Sequence, residues 1–335
     1  MKRQRYGFIF LLLIFYSAIT NAQQLPLYSQ YILNNFLLNP AIAGSDGYTS
    51  FNITSRKQWL GYADGPTTYS ASYSARLLKR KTNVVGKKLI GARSGNVGIG
   101  ANIFSDRNGA LLRTGGAFTY AYHIHFKEGQ LSFGLTGSLE QVGLDKSRLT
   151  QDFISSEPTT IQSALATNVY IPDAATGIYY IYRNFFTGLS VDQLFQSELR
   201  TVYHNVVNPG TYLIDYQYLR QYYYMIGYNL PVADNYSLEP SMFLRTNEKL
   251  NNLVDVTLKV IYKRSFWMSY GFRTDFIGDQ TSIVSVGFRL DEFYFGYSFD
   301  YQSDAISLST YGTHELVLAY KLGDSQRRYR WLDRF

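Results

Sequence analysis

Apolar and polar positions alternate with a period of two, in segments of about ten residues that recur from residue 48 almost to the C-terminus. In "EFYFGYSFDY" the odd positions Phe293, Phe295, Tyr297, Phe299 and Tyr301 are all aromatic, with Tyr294, Gly296, Ser298 and Asp300 between them. In "VDVTLKVIY" Val254, Val256, Leu258, Val260 and Tyr262 oppose Asp255, Thr257 and Lys259. "QLSFGLTGSLE" and "GAFTYAYHIHF" divide in the same way, the second setting Phe118, Tyr120, Tyr122, Ile124 and Phe126 against Thr119, His123 and His125. This pattern predicts strands near 48–56, 66–78, 95–105, 112–126, 130–142, 173–182, 185–192, 220–230, 236–246, 252–262, 265–275, 281–290, 292–301 and 313–322. About fourteen strands with one greasy face each predict an all-β fold, a transmembrane antiparallel β-barrel. A soluble sandwich or propeller is the alternative, but it needs a second sheet to cover each apolar face.

Connection lengths separate the two. Single-chain barrels place short turns on the periplasmic side and longer loops outside. With the N-terminus on the periplasmic side, the expected inner turns after the fourth strand are 127–129, Arg183-Asn184, 231–235, Lys263-Arg264 and Asp291, all short. The outer loops are 143–172, 193–219 and 302–312, each long. A sandwich has no reason to sort its loops in this way. In the barrel, Phe295 and Tyr297 face lipid and Asp300 faces the lumen.

The first 22 residues, "MKRQRYGFIFLLLIFYSAITNA", combine a basic start, an apolar core and small residues before Ala22, as in a secretory signal peptide. Without Lys2, Arg3 and Arg5 the formal charge falls from +7 to +4. No basic face interleaves with stacking residues, which argues against nucleic-acid binding. The chain has 0 Cys, so disulfides play no part in holding it together. Aromatic residues, 17% of the chain with 31 Tyr, suit strands and membrane interfaces.

Five regions are candidate partner contacts. Tyr28, Tyr31, Ile32 and Phe36 fall at helical spacing before the stop signal Asn39-Pro40. This segment, 23–47, is expected at the periplasmic mouth or inside the lumen as a plug, with a helix on the membrane surface as the alternative. The turn 79–94 is long for its side and carries Lys79, Arg80, Lys81, Lys87 and Lys88, suiting a periplasmic partner or a merely solvated loop. The tail 323–335 is also basic. Outside, Trp59 and Tyr62 stand in the first loop. Tyr203, His204, Tyr212, Tyr216 and Tyr218 stand in 193–219, expected as exposed contact residues or as a lid on the barrel.

Enzymatic chemistry finds little support. His123 and His125 share a polar face without a third ligand on their strand, so lumen lining is the expectation rather than a metal site. His314 and Glu315 point to opposite faces. No nucleophile elbow, phosphate loop or paired-carboxylate motif is present. The expectation is no enzyme, no catalytic residue, no cofactor and no metal. A channel for small solutes is the competing function, because fourteen strands enclose a wide lumen unless something fills it.

The stretches "LPLYSQYILNNFLLNPAIAG", "RKQWLGYADGPTTYSASYSARL" and "GTHELVLAYKL" resemble, in that order, the PorP/SprF family of Bacteroidetes outer-membrane proteins, over residues 23–322. The opening carries the most specific part: Tyr28 to Tyr31, Asn39-Pro40-Ala41, Gly44, Gln58-Trp59 and Thr67-Thr68-Tyr69. The resemblance implies a role in type IX secretion and, in gliding bacteria, in surface adhesion. It implies exported client proteins with a C-terminal sorting domain as partners. It also implies periplasmic peptidoglycan-binding or motor-ring components, beside the membrane lipid itself.

Overall fold

A computed structural model describes residues 34–62, 64–79, 93–145, 168–196, 198–204, 211–276, 278–303 and 309–323. The signal peptide 1–22 and the basic tail beyond Gly323 lie outside them. Two short 3-10 turns, Asn35–Leu37 and Pro40–Ile42, precede the strands. These are β1 (Thr49–Lys57), β2 (Thr67–Lys79), β3 (Arg93–Asn108), β4 (Leu111–His125), β5 (Gly129–Leu144), β6 (Val169–Tyr182) and β7 (Phe185–Asp192). There follow β8 (Glu198–His204), β9 (Thr211–Gln217), β10 (Gln221–Tyr228), β11 (Leu230–Ala233), β12 (Tyr236–Asn247) and β13 (Leu253–Tyr262). The last four are β14 (Phe266–Thr274), β15 (Gln280–Leu290), β16 (Phe293–Gln302) and β17 (Thr313–Leu322).

Each barrel strand pairs antiparallel with its neighbours, and β1 closes the ring on β17, from Thr49 opposite Leu322 to Lys57 opposite His314. β7 pairs β10, and β10 and β11 both pair β12, so these two make one barrel strand interrupted at Asn229. Fourteen strands therefore form the wall. Closure is what the membrane demands, since an open edge would leave unpaired N–H and C=O groups in hydrocarbon.

The strand faces sort as the alternation predicts. On β13, Leu258 is 48% exposed and its neighbour Lys259 only 2%. Phe295 and Tyr297 face outward while Asp300 is buried inside. His123 is buried and His125 half-buried, both on the inner side of β4. The outer surface is thus apolar and the inner one polar, the reverse of a soluble barrel.

Apart from the span between β2 and β3, which lies outside the described residues, the connections at one end are tight turns. The β6–β7 turn is Arg183-Asn184, with Arg183 at φ 52, and the β13–β14 turn holds Lys263 at φ 49 and Arg264 at φ 55. The expected turn 231–235 is shorter than its sequence suggests, because Leu230–Ala233 continues the strand and leaves only Asp234 and Asn235. The other end bears the long connections and is therefore extracellular. There the stretch 193–219, which has no clear alternation, is not an irregular loop. It holds β8 and β9, a separate two-stranded sheet with Tyr203 opposite Tyr212.

Position on the lipid face sets the cost of a charge. Leu258→Arg, near the middle of β13, should destabilise the barrel by about 2–4 kcal/mol, whereas Leu258→Ile should change little. Urea unfolding from lipid vesicles measures both.

Candidate functional site: the filled lumen

The lumen is filled by two different means in its two halves. Along β3 to β7 the inner wall sets glycines among larger side chains such as Tyr179, Ile181 and Phe186, and the chain from 34 to 47 lies against it. A Cβ at Gly98 would overlap the Ala43 carbonyl, one at Gly134 would overlap Pro40 and Ala41, and one at Gly177 would overlap the Asn39 amide. Only glycine permits so close an approach of backbone to backbone. Asn39 is fully buried. Its Nδ2 donates to the carbonyls of Ile178 (3.0 Å) and Leu189 (3.2 Å), and its Oδ1 accepts from Ala41 N–H at 3.0 Å. Asn39 thereby caps the second 3-10 turn, with Pro40 at the first position where its missing N–H costs nothing.

Irregular backbone buried in this way must find partners elsewhere. The wall supplies them. Ser190 donates to Leu38 O, and Arg76 donates to Gly44 O and Ser45 O, both at 2.8 Å. His123 Nε2 lies 3.1 Å from Ala43 O, which can only accept, so Nε2 carries the proton and Nδ1 accepts from Ser132 or Gln130. His125 contacts Arg76 at 3.1 Å. The two histidines are therefore part of the seat of this segment.

Across the lumen, large side chains from the wall fill the space themselves. Arg56 of β1 donates to Asp300 of β16 and Glu315 of β17, both at 2.9 Å, and Arg273 of β14 holds Asp255 of β13 through two bonds. Lys259 pairs with Glu239 at 2.7 Å. Tyr294 and Trp267 pack with Ile261, Val317 and Ala319 below. Glu315 serves this network while His314 turns away to Tyr297, so the pair does not act together.

The candidate partner residues scatter over this frame. Phe36 is buried in the lumen with Ala43 and Ala121, not displayed at the periplasmic mouth, so it is not a surface contact. Tyr28 and Tyr31 lie outside the described residues, as do Arg80, Lys81, Lys87 and Lys88. Lys79 ends β2 opposite Arg93 of β3. Trp59 is half-buried at the extracellular rim, its indole N–H donating to Gln302, while Tyr62 is exposed. Tyr203, Tyr212 and Tyr216 stand on the β8–β9 hairpin. Tyr218 is not exposed as the sequence suggests. It is 7% accessible, packed on Val142 and Ile171, with its hydroxyl bonded to Glu140 at 3.1 Å. The close approach of residues 34–47 to the inward glycines and the ion pairs of Arg56 escaped the sequence reading.

The comparisons with known proteins bear on this barrel as a whole. The family described as "Type IX secretion system membrane protein PorP/SprF" matches residues 20–320. The chain belongs to the PorP/SprF family. A closed barrel with an apolar exterior in that family is a protein of the bacterial outer membrane. A comparison with curated proteins found no match. Similar solved structures include the Ralstonia pickettii toluene transporter TbuX, 10% identical over 85% of this chain and 92% of that one, at a TM-score of 0.47. The Acinetobacter baumannii outer membrane protein Omp33 is 8% identical over 83% and 100%, at 0.46.

The ion network gives a stability test for this PorP/SprF barrel. Arg56→Ala removes the cation that bridges Asp300 and Glu315, leaving Asp300 with Arg273 at 3.9 Å, and should cost about 3–5 kcal/mol. Arg56→Lys should recover part of that in the same denaturation assay.

Proposed function

We propose that this protein is a non-enzymatic anchor of the type IX secretion system. On this reading it engages an exported client bearing a C-terminal sorting domain at its extracellular face. Periplasmic secretion components, peptidoglycan-binding or motor-ring, meet it from below. The observation that carries the reading is the filled lumen: a channel needs a path, whereas here backbone sits in a glycine cradle on one side and buried ion pairs occupy the other. Residues 34–47 then act as a resident plug. The extracellular hairpin β8–β9, standing apart from the wall, is the element best placed to meet a client. The basic turn at 79–94 is the corresponding periplasmic element.

Two experiments test this. Deleting 198–217 should release the client from cells while leaving the barrel folded and its periplasmic partners bound, as read by pull-down from outer membranes. Retention of the client would remove the hairpin from the recognition surface. In planar bilayers the intact protein should conduct poorly, and Gly134→Leu or Gly177→Leu, by evicting the plug, should raise conductance about tenfold or more. A large steady conductance of the unmodified protein would favour a small-solute channel instead.

A further inference from the structure

On the extracellular side of Phe36 the lumen keeps a cavity of about 180 Å³. Phe36, Leu38 and Pro40 of the plug segment form its floor, and Phe104 and Ile171 contribute to its wall. Its polar groups are only partly used. Tyr223 and Gln193 are each 8% exposed, and among the described residues neither the phenol nor the side-chain amide has a hydrogen-bond partner. Neither is among the fully enclosed unsatisfied atoms of the described residues, so both polar ends open onto the cavity, where a ligand can meet them.

Two carboxylates line the same space. Asp173 accepts the N–H groups of Ala174 and Phe195 through Oδ1, and Asp192 accepts that of Gln193, also through Oδ1. Neither forms an ion pair among the described residues. The one cation in the lining, Arg113, is held by both oxygens of Glu140 and cancels it. Asp173 and Asp192 therefore leave the cavity negative, above an apolar floor and beside two idle hydrogen-bonding groups.

We propose that this vestibule binds a lysine or arginine side chain of an exported polypeptide, inserted from the extracellular end. The stem would lie along Phe36 and Leu38, as long cationic side chains lie along apolar surface. The charged head would meet the spare oxygens of Asp192 and Asp173, with the Gln193 carbonyl and the Tyr223 hydroxyl accepting its remaining hydrogens. The polypeptide source follows from geometry: with residues 34–47 below it the cavity is blind, and its volume suits a side chain rather than a passing solute. This inference rests on the reading that an exported polypeptide is engaged at this face.

The test uses the purified full-length protein in detergent and titrates glycine-arginine-glycine, glycine-lysine-glycine and glycine-glutamate-glycine peptides blocked at both ends, by calorimetry. The basic peptides should bind at least about tenfold more tightly than the acidic one, and less tightly as salt rises. The double variant Asp173→Asn with Asp192→Asn should lose about tenfold in affinity. Tyr223→Phe and Gln193→Leu should each lose about threefold or more, which keeps the test alive if the double variant fails to fold. Heat-modifiable electrophoretic mobility reports folding in every case. No binding of the basic peptides, equal binding of the acidic one, or undiminished binding by the folded variants would overturn the site. Arginine amide binding as tightly as the peptides would overturn the polypeptide source. Client release on deleting 198–217 is read separately in cells, so failure of the anchor reading and failure of this site are distinguishable.

Discussion

The pairing of β1 with β17 is the interaction on which everything else depends. In hydrocarbon no water replaces a missing backbone partner, so the sheet must close or fail. Closure at fourteen strands then creates a second problem, because the ring is wider than its own side chains can span unless they are long or unless other chain enters. The inner surface answers both ways at once. Where β3 to β7 offer glycines, backbone from 34 to 47 comes in. Where β12 to β17 and β1 face each other, Arg56, Arg273, Lys259 and their carboxylates reach inward.

These two fillings differ in what can undo them. The ion pairs belong to the wall, so separating them means unfolding the barrel, and a buried charge stripped of its partner is heavily penalised. The segment 34–47 is held by hydrogen bonds from Asn34, Asn39, Ser190, Arg76 and His123 and by the close fit of the glycines. It could leave without breaking a single strand pairing. One half of the lumen is thus filled by the wall strands' own side chains and the other by a segment that takes part in no strand pairing.

The strands were legible because period two is a local property and lipid rewards it at every exposed position. Val256, Leu258 and Val260 announce their face without reference to any other part of the chain. The boundary at Leu230–Ala233 was less legible because strand continuation past Asn229 depends on pairing with β12, not on alternation. The hairpin β8–β9 was missed for a related reason: its two strands are stabilised by one another, outside the membrane that enforces the pattern elsewhere. Tyr218 looked like its neighbours in composition, yet Glu140 and Ile171, far away in sequence, bury it.

The interior was least legible, and the cause is separation along the chain. Arg56 finds Asp300 and Glu315 at sequence distances of 244 and 259, and Asn39 finds Leu189 at 150. No short motif can carry such pairings. What the sequence does hold is their consequence: an Asn-Pro step able to cap a turn within a lumen, and glycines at inward positions on β3, β5, β6 and β7. An inward glycine in a membrane strand weakens the strand and packs against nothing of its own. Gly98, Gly134, Gly177 and Gly188 make sense only if something else comes close, and in this barrel that something is its own N-terminal segment.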